Sequence, residues 1–258
     1  MGCAKPILVK VGQGATSRSV VVGCGSCLQC LNRRSMDWTF RLQKEAKNYE
    51  QKHFITLTYD ENNVPKDSKT DRLCLRKSDL QKFFKRLRKR NRQKIKYYAV
   101  GEYGGETKRP HYHAILFGAD SETVKPSWEK GRISVDPVTT ASIKYVTNYL
   151  GKKEISKGMK KHHQPFSVMS KNLGWSYLEE YSDRHKKTVN DDIIWPGGYP
   201  GKLPRYYKER IFTKDELQQI SDKNQHAYYA QNQEVTYKNR LVKEAKLSIK
   251  QKQTKNKL

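Results

Sequence analysis

KYYAVGEY at residues 96–103, a Gly-Gly-containing loop with Pro110, and HYHAILF at residues 111–117 decide how this chain reads. Both runs are rich in β-branched and aromatic residues, and a short turn between them favours two antiparallel strands. Side chains alternate along a strand, so His111 and His113 point to the same face and can converge on one metal ion. Taken by itself the pattern fits two solvent-facing histidines better. The preceding strand changes the weighting: the register that sets Glu102 opposite His111 also sets Val100 opposite His113, all on one face. Glu102 then supplies a third ligand, and a two-His, one-carboxylate set with open positions suits a divalent ion that also holds a substrate oxygen.

Working outward, HFITLTY at 53–59 reads as a further strand with Ile55, Leu57 and Tyr59 on one face and Phe54, Thr56 and Thr58 on the other. Gly131 to Val135 reads as another. Between them, Leu80, Phe83, Phe84 and Leu87 fall at i, i+3, i+4 and i+7 in a helix over 78–90, with Ser78 and Gln81 placed for a capping box. A helix follows from about Thr140 to Lys152, and another from Ser26 to about Gln51. The expected architecture is α+β: an antiparallel sheet of about five strands, the histidines on its central strands and helices on its faces. Residues 1–52 form an N-terminal segment with a cysteine cluster and a helix, 53–212 the main domain, and 213–258 a basic, partly disordered tail. Residues 1–23 read as extended or irregular, and 151–201 give no clear pattern.

Tyr145 and Tyr149 lie one turn apart on the helix over 140–152, and Lys152 follows on nearly the same side. A tyrosine nucleophile suits phosphodiester transesterification, because a phosphotyrosine bond keeps the energy of the broken linkage for rejoining. An ordinary phenol has a pKa of about 10, so it needs a nearby cation or metal. Two tyrosines on an apolar helix face are, without other signals, more often core packing.

The chain carries 52 Lys+Arg against 26 Asp+Glu, a formal net charge of +26, which points to a polyanionic partner: nucleic acid first, an anionic membrane surface second. No apolar run approaches the roughly 18 residues needed to cross a bilayer, and residues 1–11 lack a hydrophobic signal core, so no membrane role is expected. Part of the charge sits on one helix, where Lys82, Lys85, Arg86, Arg88, Lys89 and Arg90 surround the apolar stripe. These six are candidates for phosphate contacts, against the usual reading of a solvated surface. Tyr97, Tyr98, Tyr103 and Tyr112 alternate along the central strands, mostly as core, with one or two able to stack on unpaired bases.

Five cysteines is an odd number, and Cys24, Cys27 and Cys30 are too close for a disulfide framework, which favours a reducing compartment. With Cys3 as a fourth thiolate the C-x-x-C-x-x-C spacing can bind structural zinc. Cysteines lining the inner side of a helix start explain the spacing as well, and more simply. Cys74 reads as a small hydrophobe.

Taken together, the FITLTY strand at 54–59, Arg109-Pro110-His111-Tyr112-His113, and the helix Tyr145-Val-Thr-Asn-Tyr149-Leu-Gly-Lys152 resemble the replication initiators of small single-stranded DNA phages, microviruses of the gokushovirus branch. Those proteins are HUH endonucleases with two catalytic tyrosines. The resemblance extends over about residues 1–212. It implies that His111, His113 and Glu102 bind Mg²⁺ or Mn²⁺, that Tyr145 and Tyr149 are the nucleophiles, and that Lys152 assists at the scissile phosphate. Asn148 stands where relatives often carry Lys, so the order of the two tyrosines stays open. The implied activity is nicking and rejoining of one DNA strand at a viral replication origin in rolling-circle replication. The implied partners are single-stranded DNA and the host replication machinery, and the implied location is the cytoplasm of the infected bacterium. Two other readings stand beside it: a non-catalytic nucleic-acid-binding protein on a similar sheet, and a relaxase or transposase of a mobile element.

Overall fold

The β-branched and aromatic runs form the middle of a five-stranded antiparallel sheet in the computed structural model of the chain, which describes residues 3–12, 14, 17–149, 164–195, 197–231, 242 and 244–248. In chain order the elements are β1 (Ile7–Val11), β2 (Arg18–Val22), α1 (Leu28–Ala46), β3 (Lys52–Thr58), α2 (Lys77–Arg90), β4 (Lys96–Tyr103) and β5 (Pro110–Phe117). There follow a short α3 (Ser121–Val124) running into a 3₁₀ turn at Lys125–Ser127, then β6 (Ile133–Pro137), α4 (Thr140–Asn148) and β7 (Phe166–Met169). The last part holds α5 (Ser176–Thr188), β8 (Asp192–Trp195), β9 (Tyr199–Lys202), α6 (Arg205–Ile211) and α7 (Lys214–Gln231). The fold is α+β, and the sheet order β6-β3-β5-β4-β7 puts the histidine strand at its centre. Among the described residues no helix is long and apolar enough to cross a membrane.

The chain divides into two compact units, residues 38–182, and residues 1–37 together with 183–258. In the first, each face of the sheet has its own apolar cluster. On one face Ile55, Leu57, Tyr59, Ala99, Tyr112, Ala114 and Leu116 pack with Leu80, Phe83, Phe84 and Leu87 of α2. Each of those four α2 side chains is buried, which is worth about 1.5–3 kcal/mol apiece. On the other face Tyr98, Val100, Ile115 and Phe117 pack with Leu42 of α1 and with Ile143, Val146 and Tyr149 of α4. The strand period of two therefore sorts the sheet's side chains between α2 on one side and α1 and α4 on the other.

Two local features depart from the sequence reading. The Ser78–Gln81 box is not used: α2 starts one residue earlier, with Arg76 at the N-cap and no side-chain cap. Tertiary bonds fix that entry instead, since the Tyr112 hydroxyl accepts from Arg76 N at 3.1 Å and donates to Arg76 O at 2.9 Å. Tyr59 donates to the buried Asp79 at 2.9 Å and lies 2.7 Å from Tyr112 Oη, so the first turn of α2 is tied to β3 and β5. The box that does form is at α4, where Thr139 accepts from Ser142 N at 3.1 Å and Ser142 Oγ accepts from Thr139 N at 2.8 Å.

In the second unit, β1 and β2 pair as a hairpin within the stretch read as extended or irregular. β8 and β9 form another two-stranded ribbon. Asp191, 2% exposed, is held by Lys202 and Lys208, each at 3.2 Å, and accepts from Asn224 at 3.3 Å. A buried carboxylate needs such partners to offset its lost hydration.

Candidate active site

The β4–β5 ladder has Glu102 opposite His111 and Val100 opposite His113, the register expected from the alternation. On the other side of β5, β3 sets Thr58 opposite His111 and Thr56 opposite His113. The loop at 104–109 is closed by a bond from Gly104 N to Arg109 O at 3.0 Å, which locks the hairpin and with it the register.

Glu102 Oε1 is the hub of the site. It lies 2.8 Å from Nε2 of His111 and 2.8 Å from Nε2 of His113. Glu102 and His113 are buried and His111 is half-buried, so these groups meet in a medium of reduced dielectric. The outer nitrogens of the rings are held too. His111 Nδ1 lies 3.1 Å from the Arg109 carbonyl, which can only accept, so this nitrogen carries a proton and the ring turns Nε2 toward Glu102. His113 Nδ1 lies 2.9 Å from Thr56 Oγ1. Phe54 stacks on His113 with centroids 5.6 Å apart and planes inclined by 12°. Two imidazole nitrogens and a carboxylate oxygen converging at 2.8 Å call for positive charge among them, from protons or from a cation. The ligand atoms of Glu102, His111 and His113 lie within 4.8 Å of one another, and this N, N, O donor set fits a divalent cation.

Tyr145 reaches this hub from α4. Its hydroxyl donates to Glu102 Oε1 at 2.8 Å and lies 3.4 Å from His113 Nε2. Burial and the Glu102 carboxylate both push the phenol's pKa above its ordinary value, so without added positive charge it stays protonated at neutral pH. Helix α4 is anchored against α1 through a 2.8 Å contact between Thr39 and Thr147 hydroxyls.

Tyr149 stands at the C-cap of α4, 4% exposed, inside the apolar cluster that α4 shares with the sheet. Burial, and next the charge of Glu102, raise its pKa, while a hydrogen bond with the Tyr103 backbone acts the other way. The two phenols thus differ: Tyr145 touches the donor set, and Tyr149 lies in the packing beneath. Lys152 lies outside the described residues.

The basic residues of α2 are not beside this site. Their helix covers the opposite face of the sheet, with Lys82, Lys85, Arg88, Lys89 and Arg90 exposed. Arg86 is engaged, donating to Ser127 O at 2.9 Å and pairing with Glu129 at 3.3 Å. The strand tyrosines are core: Tyr98, Tyr103 and Tyr112 are at most 3% exposed, and Tyr97 stacks on Phe84 with centroids 3.6 Å apart. Tyr98, Tyr103 and Tyr112 offer no platform to an unpaired base, whereas Tyr97 is half-buried.

The four cysteines come together. Cys3, Cys24, Cys27 and Cys30 have Sγ atoms within 4.8 Å of one another, at the base of the β1–β2 hairpin. The Ser26 hydroxyl and backbone N–H groups lower Cys24 to a pKa of about 6, whereas burial raises Cys30 to about 12. Cys74 is buried in the other unit.

Comparison with known proteins points the same way. The model of the family described as replication-associated protein ORF2/G2P matches residues 52–154, the stretch from β3 through α4. The replication-associated protein VP4 of Bdellovibrio phage phiMH2K is 29% identical over 251 residues, covering 81% of this chain and 76% of the relative. The replication-associated protein ORF2 of Spiroplasma virus 4 is 29% identical, covering 74% of this chain and 67% of the relative. Over most of its length the chain is similar to replication-associated proteins of phages. ORF4 of Chlamydia phage 1, also a replication-associated protein, is 28% identical, and the match spans 53% of its length. No solved structure matches the chain.

Within this site, three contributors escaped the sequence reading. Thr56 and Phe54 flank His113, and alternation along 53–59 had already set them on one face. Arg109 donates to Tyr59 O at 2.8 Å and pairs with Glu61 at 2.6 Å while its own carbonyl fixes His111. Its position just before Pro110 and His111 was the signal available.

Proposed function

We propose that this protein is a replication initiator that nicks single-stranded origin DNA by tyrosine transesterification and later rejoins it. The observation that carries the proposal is the Tyr145 hydroxyl, 2.8 Å from Glu102 Oε1 and 3.4 Å from His113 Nε2. A phenol placed against a metal-type donor set suits a nucleophile better than a packing residue.

Glu102, His111 and His113 would hold the Mg²⁺ or Mn²⁺, which when bound supplies positive charge at the scissile phosphate. Glu102 accepts the phenol proton's hydrogen bond and keeps Tyr145 Oη pointed into the site. Oη attacks phosphorus, an O–P bond forms, and the bond from phosphorus to the 3′ oxygen breaks. The products are a 5′-phosphotyrosine and a 3′-OH, with the phenol proton ending on the departing 3′ oxygen. The strand energy is conserved, so the reverse attack by a 3′-OH rejoins DNA and restores the tyrosine. We assign the first cleavage to Tyr145 and the later transfer to Tyr149, whose hydroxyl must first be uncovered. Lys152 is assigned to the scissile phosphate. In the infected bacterium the 3′-OH would prime the host replication machinery.

The exposed cations of α2 would hold flanking DNA through phosphates, on the face of the sheet away from the chemistry. The test is incubation of the protein with Mn²⁺ and an origin-strand oligonucleotide, followed by denaturing electrophoresis and mass mapping. The expected result is a covalent adduct on Tyr145 in wild type and in Tyr149→Phe, and none in Tyr145→Phe. A wild-type protein that binds the strand but forms no adduct would support the non-catalytic reading instead.

A further inference from the structure

The four-cysteine cluster serves no step of the proposed chemistry, and it lies in the unit that lacks His111 and His113. Its geometry is specific. A tetrahedron of sulfurs about an ion at about 2.3 Å has edges of about 3.8 Å. Cys3 Sγ and Cys27 Sγ are 3.7 Å apart, and all four sulfurs fall within 4.8 Å of one another. The sulfurs also draw hydrogen-bond donors. Lys5 N and Cys24 N donate to Cys3 Sγ, and Cys27 N donates to Cys24 Sγ, each at 3.3 Å. Ser26 Oγ donates to Cys24 Sγ at 3.5 Å. Thiols are weak acceptors, whereas metal-bound thiolates are oriented by outer partners of this kind. Gly23 makes room for the approach, since a Cβ there would lie 3.0 Å from Cys30 Sγ.

A second observation is independent of the sulfurs. The β1–β2 hairpin stands between Cys3 and Cys24 and exposes Leu8 and Val21 to 67% each and Ile7 to 47%. A two-stranded ribbon with little buried surface is marginal in water. Such a ribbon keeps its shape when its base is clamped, and small units that cannot bury enough apolar surface use metals or disulfides for this purpose. Four soft thiolates in a closed set select against Mg²⁺ and Mn²⁺ and for zinc.

We propose that Cys3, Cys24, Cys27 and Cys30 form a tetrathiolate zinc site that clamps the β1–β2 hairpin to the start of α1. The role is structural: the set is closed, with no ligand position left for substrate.

The experiment uses the full chain, purified under reducing conditions without chelator. Wild type is expected to hold one zinc, released by an organomercurial in step with four thiols. The zinc should persist in a His111→Ala, His113→Ala double variant and in Cys74→Ser, and be lost in Cys27→Ser. If Cys27→Ser does not fold, Co²⁺ exchange of wild type should give the thiolate-to-cobalt charge-transfer bands of a four-sulfur site. Amide hydrogen exchange in residues 7–11 and 17–22 should then speed up by at least about tenfold when zinc is released. Zinc content that follows the histidines rather than the cysteines overturns the proposal. So does a bound iron chromophore, a Cys3–Cys27 disulfide in the reduced preparation, or no bound metal at all.

Discussion

Tyr145 Oη and His111 Nε2 share one oxygen: each lies 2.8 Å from Glu102 Oε1. The same atom that completes the donor set therefore also orients the Tyr145 hydroxyl, the nucleophile of the proposed reaction. Converting it to an amide separates the two roles. In Glu102→Gln the Tyr145 bond can persist, because an amide oxygen still accepts, but the negative charge that attracts a cation is gone. Titrating Mn²⁺ into the adduct assay should show the half-saturating concentration raised by at least about tenfold. An unchanged titration would remove Glu102 from the ligand set.

Thr56 offers a milder test of the same centre. Its hydroxyl meets His113 Nδ1 at 2.9 Å, so Thr56→Val keeps the shape and removes the partner that orients the ring. Losing an outer partner of a metal-binding histidine costs about 10–100-fold in metal affinity. Adduct yield should therefore fall at low Mn²⁺ and recover at saturating Mn²⁺. A defect that saturating metal does not repair would place Thr56 in substrate binding instead.

The sequence made some of this legible and hid the rest for identifiable reasons. Glu102 and His111 could be paired because one short turn joins their strands, leaving few registers that keep the apolar alternation. Thr56 opposite His113 could not be read off in the same way. It depends on the pairing of β3 with β5, and the chain between them contains all of α2 and β4. The stripe on α2 showed which side of the helix is buried but not which face of the sheet receives it. That is why its cations turned out to lie behind the site. Tyr149 was legible as a neighbour of Tyr145 on the helix, yet only the packing with Val100 and Phe117 reveals that it is covered.

Under the proposed function, the placement of α2 on the opposite face of the sheet separates binding from chemistry. Lys85 is exposed, and Lys85→Ala should weaken single-strand binding and lower the salt slope by about 0.7, the value for a single phosphate on single-stranded DNA. Its unfolding midpoint in urea should not move. Arg86→Ala should do the reverse, because Arg86 is spent on Ser127 O and Glu129. A stability loss of about 1–2 kcal/mol is expected, with the salt slope nearly unchanged. Fluorescence anisotropy at several salt concentrations and urea melts measure both quantities. Equal effects of the two substitutions on binding would contradict the assignment.

The buried tyrosines make stability depend on alkaline pH. Burial, then the neighbouring Tyr112 and Asp79, raises the Tyr59 pKa far above 10, and burial raises Tyr112 to about 12. In the unfolded chain both ionise near their ordinary value of about 10. Between that pH and their folded values the unfolded state has released protons that the folded state retains. Stability is thus fully present below about pH 10 and falls as pH rises above it. Each tyrosine still protonated in the fold contributes a slope of about 1.4 kcal/mol per pH unit. Tyr59→Phe removes one such group, although it also costs Asp79 a donor. The variant should start less stable at pH 8 by about 1–3 kcal/mol. Between pH 10 and 11 it should then lose stability less steeply than wild type, by a difference that grows from about half a proton's slope toward a full one. Urea melts at half-unit pH steps give both curves, and parallel curves above pH 10 would mean that Tyr59 ionises in the folded protein as it does in water.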